Sequence, residues 1–292
     1  MIKPARFTLA VDPAELGERR ATAAVFGAPL ELTMSWREGA AGGPAAIRRM
    51  SDALETHSPV LEADLEDVIV VDHGDLALEG VAMEEALDRI AAAMETAAAS
   101  AALPVMLGGE HTVSLGGFRA IKKLHPHAAL VQLDAHADLR AQWEGEAITH
   151  ASWVHQAGVE FGFEDIVQLG IRSLAREEWE PTRMRAGWSG ESLDFPERVA
   201  ERLRGRPVYL TLDIDVLDPA FAPGTGSPEP GGVTFRELQQ CLYDLGGFDV
   251  VAFDVVEVAP NLDPSEVTAA AAAKLVREAI LLFGGRRERE SE

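Results

Sequence analysis

Two acidic strings in this chain have the residue types and spacing to hold metal ions: Asp134-Ala135-His136-Ala137-Asp138 and Asp213-Ile214-Asp215. Each follows an apolar run directly, residues 129–133 before the first and 207–212 before the second. If those runs are strands, side chains at i and i+2 share a face, so Asp134 pairs with His136 and Asp213 with Asp215. Carboxylates crowded at the mouth of an apolar sheet repel one another unless positive charge sits between them. One or more divalent metal ions would supply that charge most simply.

The elements that must position these groups are legible from periodicity. Apolar, β-branched runs at 22–27, 68–72, 104–107, 129–133, 166–170, 207–212 and 249–256 predict strands. Amphipathic patterns at 43–54, 82–101, 114–124, 197–204, 234–245 and 265–283 predict helices between many of them. Continuous apolar strands alternating with helices imply an α/β fold of three layers, a mostly parallel sheet covered by helices on both faces. Thr234 and Glu237 have capping-box spacing ahead of the stripe Phe235, Leu238, Leu242 and Leu245. Asp263-Pro264-Ser265-Glu266 is expected to open the last helix, with Pro264 in its first turn, and Gly284-Gly285 to end it. With no linker-like composition shift and no repeat, residues 1–292 read as one domain, the charged tail 286–292 being mobile.

In an open parallel sheet, ligands bind at the carboxyl ends of the strands. Gly108-Gly109-Glu110-His111 follows strand 104–107, the two acidic strings follow their own strands, and strand 249–256 runs through Asp254-Val255-Val256 to Glu257. Taken singly, each has a bland reading: a histidine in a glycine-rich loop is ordinarily structural, and Asp-x-Asp can cap a turn. Taken together, they would be acids and imidazoles at a buried edge with no compensating charge, which is physically expensive.

Composition narrows the partners. Lys and Arg number 26 against 48 Asp and Glu, a net charge of −22 that argues against nucleic acid and is compatible with a small cation. Hydrophobic residues at 47% and charged residues at 25% are the balance of a soluble globular protein. The single cysteine, Cys241, permits no intrachain disulfide and suits a reducing cytoplasm; its apolar helical surroundings mark it as a core residue. No signal peptide is apparent behind Met1, and the alanine-rich stretch 91–107 is too short and polar to span a membrane.

His111 in Gly108-Gly109-Glu110-His111, Asp134 to Asp138, Asp213-Ile214-Asp215-Val216-Leu217-Asp218-Pro219 and Asp254 to Glu257 resemble, in order, the four signatures of the ureohydrolase family, which includes arginase and agmatinase. The likeness runs over residues 25–283. It implies an arginase-like fold and two Mn²⁺ ions per subunit. One ion would be held by His111, Asp134, Asp138 and Asp213, the other by His136, Asp134, Asp213 and Asp215. Oxygen-rich donors with a minority of imidazoles suit manganese better than zinc, and cobalt or nickel take the same set. The resemblance further implies a bridging hydroxide that attacks a guanidinium carbon, Glu257 holding the guanidinium nitrogens, and His150 passing a proton to the leaving amine. Asp138 counts with His150 and Glu257 as catalytic as well as a metal ligand. A homo-oligomer, trimer or hexamer, is implied too.

Within the family, the segment Trp36 to Arg48 and the string Asp138-Leu139-Arg140 with Glu144-Gly145 and His150 look like agmatinase, which would make the reaction agmatine to putrescine and urea, a step of polyamine biosynthesis. Arg140, Ala141, Gln142 and Trp143 stand where arginases carry an Asn- and Ser-bearing loop. Arg140 would favour a carboxylate-bearing substrate such as guanidinobutyrate if it faced the pocket, and would be silent if paired with an acidic neighbour. Other guanidino compounds, arginine included, are the alternative substrates. The Pro- and Gly-dense segment 218–232 is expected to wall the site. Asp254 is expected to support Glu257 or a nearby loop, and Trp143 and Trp153 to pack or to contact the substrate. A non-catalytic, metal-stabilised relative would lack a ligand or Glu257, and none of these is missing.

Overall fold

The strands follow one another as β1 (Ala21–Ala28), β2 (His57–Ser58), β3 (Ala63–Asp64), β4 (Val70–Asp75), β5 (Ala101–Gly108), β6 (Ala129–Leu133), β7 (Ile166–Leu169), β8 (Trp188–Gly190), β9 (Pro207–Asp213) and β10 (Asp249–Val256). The α-helices are α1 (Pro13–Leu16), α2 (Gly43–Ser51), α3 (Met83–Ser100), α4 (Val113–Leu124), α5 (Trp153–Phe161), α6 (Glu197–Leu203), α7 (Phe235–Leu245) and α8 (Val267–Ala279). This computed structural model describes residues 6–17, 19–179, 188–194 and 196–285; the tail expected to be mobile, 286–292, lies outside the described residues.

An eight-stranded sheet takes the order β4-β1-β5-β10-β9-β6-β7-β8, and every neighbouring pair in it is parallel. Among the described residues, only β2 and β3 stand apart, as a small antiparallel pair. Because side chains alternate along a strand, one face of the sheet presents Val25, Val105, Val131 and Leu210 to Ile47 of α2, Val199 of α6, Leu242 of α7 and Val276 of α8. The other face presents Phe26, Met106 and Leu130 to Ile90 of α3, Phe118 of α4 and Val154 of α5. Each fully buried aliphatic side chain contributes about 1.5–3 kcal/mol over its exposed state, so both helical layers are bound strongly to the sheet. Cys241 is buried on α7. Among the described residues, no helix is long and apolar enough to cross a membrane.

Three features differ from the sequence reading. Strand β8 has three residues, too few to register as an apolar run, and sits at the sheet edge. Helix α5 was not expected because its mixed composition, Trp153 to Phe161, has no clear stripe. The last helix begins at Val267 rather than in 263–266: Glu266 has a left-handed φ of 59°, which breaks the helix there, and Pro264 lies in the preceding turn. The Asp263 carboxylate accepts the N–H groups of Ser265 and Thr268, fastening that turn to the helix start. The capping box of Thr234 and Glu237 is present as expected.

The strands leading to the acidic and imidazole groups, β5, β10, β9 and β6, are consecutive neighbours in the middle of the sheet. Parallel pairing then puts all their carboxyl ends on one edge.

Candidate active site

At that edge the chain brings together His111, Asp134, His136, Asp138, Asp213, Asp215 and Glu257, all buried except His136, whose side chain is 28% exposed. Gly109 allows the turn into His111: a Cβ there would stand 2.1 Å from the Leu30 carbonyl oxygen. The two acidic pairs converge differently from the expected strand alternation. Asp213 ends β9, and its Oδ1 accepts the N–H of Asp215 at 2.8 Å, folding the chain into a short 3₁₀ turn. Asp134 likewise accepts the N–H of His136 at 2.6 Å just past β6. Side-chain-capped turns therefore aim these residues, and local Asp-to-backbone bonding is the physical reason. Asp138 (φ 52°) and Glu257 (φ 63°) hold left-handed backbone, a conformation non-glycine residues rarely keep without support from their surroundings.

The Nδ1 of His111 lies 2.9 Å from Asp134 Oδ2, 3.1 Å from Asp213 Oδ2 and 3.5 Å from Asp138 Oδ2. It is buried, yet has no hydrogen-bond geometry to any of them. The other ring nitrogen, Nε2, faces Thr211 Oγ1 at 2.9 Å, and the Thr211 hydroxyl donates to Asp254 at 2.6 Å. With its only proton committed, Thr211 must accept from His111, so Nε2 carries the ring proton and Nδ1 presents a lone pair. A lone pair surrounded by carboxylate oxygens draws positive charge, a proton in the metal-free site or a metal cation in its place. On the other side, His136 Nδ1 lies 2.8 Å from Asp215 Oδ2 and 3.7 Å from Asp134 Oδ1. Asp134 thus turns one oxygen to each histidine and belongs to two clusters that could each hold a metal ion, His111–Asp134–Asp213 and Asp134–His136–Asp215.

The electrostatics agree. Burial and neighbouring carboxylates push Asp138 and Asp213 well above the ordinary carboxylate range. Burial opposes charge on His111 and His136, but the surrounding aspartates outweigh it and raise both. Asp134 is held low against its burial by the two histidines. Such a pattern means more negative than positive charge in a dry place. Burial pushes Glu257 up to about 8, although its carboxylate accepts the His111 N–H at 2.7 Å.

Above these groups opens a cavity of about 160 Å³ whose wall includes Ser35, Arg140, Trp143, His150, Ser227 and Glu257. His150 precedes α5, and its Nε2 lies 3.2 Å from Ser35 Oγ. Arg140 reaches the wall, but its guanidinium is paired with Glu177 at 2.9 Å and stacked 4.6 Å from the centroid of the Trp143 ring. Trp153 is a fully buried residue that donates its indole N–H to Asp138. Segment 218–232 contributes Ser227, and its Thr225 and Gly226 carbonyls accept from Arg37 at 2.7 and 3.1 Å. Asp254 does not support Glu257: it accepts from Tyr209 and Thr211, across the β9–β10 pair, because its alternating position faces β9 side chains rather than the strand end. Sequence reasoning missed Ser35 and Thr211, whose lone hydroxyls carry no spacing signal, while Ser227 falls in the segment expected to wall the site.

The profile of the arginase family matches residues 21–282. This chain belongs to the arginase family. Its arginase-family relatives include the agmatinase of Halalkalibacterium halodurans, 40% identical over 266 residues that cover 90% of this chain and 92% of that protein. The guanidinobutyrase of Pseudomonas aeruginosa is 33% identical over 287 residues, 94% of this chain and 89% of the relative. Among solved structures, the agmatine ureohydrolase of Thermoplasma volcanium superposes with a TM-score of 0.86 at 30% identity, covering 99% of this chain and 96% of its own.

Proposed function

We propose that this arginase-family chain hydrolyses agmatine to putrescine and urea at a pair of Mn²⁺ ions. The observation that carries the proposal is Asp134 shared between two imidazole–carboxylate clusters whose His111, His136, Asp213 and Asp215 line the same cavity as Glu257. In this reading His111, Asp134, Asp138 and Asp213 hold one ion, and His136, Asp134, Asp213 and Asp215 the other. When bound, the ions supply Lewis acidity and a water acidified toward neutral pH. Glu257 accepts paired N–H groups from the guanidinium, whose charge returns the buried carboxyl to its ionised form. His150, held at the cavity wall, carries a proton to the departing nitrogen. A C–O bond forms, the C–N bond to the alkyl nitrogen breaks, and both water protons end on the amine, which leaves as ammonium. Asp138 takes part through its place between His111 and Trp153.

Agmatine differs from guanidinobutyrate in carrying an ammonium instead of a carboxylate at its far end. Arg140 on the cavity wall and the guanidinobutyrase relative favour the carboxylate. Glu177 offsets the Arg140 charge at 2.9 Å, and the more similar relatives are agmatinases, so the ammonium is the better fit. The protein works as one domain over residues 1–292, in a cytoplasmic homo-oligomer, trimer or hexamer; the lone buried thiol of Cys241 supports a reducing compartment. Urea release from agmatine, arginine, guanidinobutyrate and guanidinopropionate by the Mn²⁺-loaded protein tests the proposal. Agmatine should give the highest kcat/KM; no urea from any of them overturns it.

A further inference from the structure

His150 is tied to a second hydroxyl–carboxylate pair that mirrors the one behind His111. Its Nδ1 lies 3.1 Å from Thr33 Oγ1, and its own backbone N–H donates to the same oxygen at 3.0 Å. The Thr33 hydroxyl donates in turn to Glu110 Oε1 at 2.8 Å. Glu110 is fully buried and also accepts the N–H groups of Leu32 and Thr33, at 2.6 and 2.7 Å, and the Thr112 hydroxyl at 2.7 Å. Donors on every side make Glu110 an acceptor only.

A hydroxyl has one proton and two lone pairs. Thr33 spends its proton on Glu110, and its lone pairs face the His150 N–H and Nδ1. Nδ1 must therefore bear hydrogen, because a bare nitrogen there would oppose a lone pair to a lone pair. In the neutral ring this leaves Nε2 unprotonated, directed at Ser35 and the cavity. The opposite tautomer would bury the basic nitrogen against Thr33 and offer the cavity a hydrogen that a neutral imidazole does not release.

We propose that Thr33 and Glu110 are positioning residues that lock His150 with Nδ1 protonated, so that Nε2 alone takes up and delivers the proton of the reaction. This rests on the proton-carrying role given to His150 above. In the step itself Nε2 gains a proton originating from water, the ring passes through its doubly protonated form, and Nε2 releases that proton to the departing nitrogen as the C–N bond breaks. Nδ1–H stays on Thr33 throughout. Glu110 stabilises the transient positive ring through the hydroxyl without exchanging a proton with it.

The test uses the Mn²⁺-loaded full chain with agmatine. Thr33→Val should lower kcat about 10- to 100-fold, a fraction of what a general acid–base group supplies, with KM within about twofold and metal content unchanged. Thr33→Ser, which restores the hydroxyl, should recover kcat to within about threefold of the wild type. In a His150→Asn background, Thr33→Val should cost nothing further, because the two act as one unit. Thr33→Ala replaces Thr33→Val if the latter fails to fold. A wild-type kcat in the hydroxyl-less variant beside a slowed His150→Asn overturns this inference alone. An equal Thr33→Val loss in the His150→Asn background overturns it too. A wild-type kcat in His150→Asn overturns the proton-carrying role and the inference with it.

Discussion

Trp153 and Asp138 are joined across fifteen residues of sequence: the indole N–H of the first residue of α5 donates to Asp138 Oδ2 at 2.9 Å. The same ring lies 4.6 Å from the His111 ring, so the start of one helix braces members of both the β5 and the β6 loops. Since Asp138 holds strained left-handed backbone, this bond is part of what keeps it there.

Trp153→Phe keeps most of the ring volume and removes the donor. Metal affinity should fall about 10- to 100-fold, as for other partners that orient a ligand. The metal-free protein, where burial disfavours the charged form of Asp138, should lose about 0.5–1.5 kcal/mol, the net worth of a typical hydrogen bond. A Mn²⁺ titration with unchanged affinity would show that the indole merely packs.

Asp213→Asn should separate stability from metal binding. The folded-state pKa of Asp213 is raised, so in the metal-free protein this group costs stability as pH climbs above the unfolded value of about 3.9. Metal-free Asp213→Asn is therefore expected to melt higher than metal-free wild type at pH 7, and the gap should narrow toward pH 4. Added Mn²⁺ should raise the wild-type Tm and leave the variant where it was. Thermal scans with and without metal at several pH values decide the matter.

Asp165 carries the opposite sign. Burial acts to raise its pKa, but Arg206 at 2.6 Å and Lys122 at 3.0 Å lower it overall. Its contribution is complete above the unfolded pKa of about 3.9 and is lost as pH falls through the depressed folded value. Asp165→Asn should thus lower Tm at pH 7 and pH 5 alike, with the difference closing below about pH 3.9. A difference that persists at pH 2 would mean the effect is packing.

Glu177→Gln should remove the nearer of the two carboxylates paired with Arg140 at the cavity wall, leaving Glu178 3.9 Å from its Nε. One charge pair near the surface is worth about 1 kcal/mol, so the ratio of kcat/KM for agmatine over guanidinobutyrate should drop about fivefold. The change should sit mainly in KM. An unaltered ratio across the two substrates would remove Arg140 from the specificity argument.

Much of this protein can be read from its residues because strands buried on both faces have to be written in continuous apolar runs. The strands around Val105, Val131, Leu210 and Phe253 were legible for that reason, and with them the edge on which His111, Asp134, Asp213 and Glu257 stand. Turn geometry was not legible: Asp213 and Asp134 reach their partners through backbone bonds that a strand-alternation argument does not contain. Short or unpatterned elements escaped as well, β8 for its length and α5 for its lack of a stripe. The hydroxyls of Thr33 and Thr211 were invisible, since they meet His150 and His111 from segments 117 and 100 residues away in the chain.

The central run β5-β10-β9-β6 has a thermal consequence. Sheets fray from their margins, and the flanking strands β4, β1, β7 and β8 supply none of the clustered acids and imidazoles. Partial opening at either border therefore leaves the clustered acids and imidazoles on their own central strands, whose amide hydrogens should exchange only in more global openings. On heating, the clustered ligands should outlast the contacts of His150 to Thr33 and Ser35, which follow β1, with amide protection greatest in the strands that end at the chemistry.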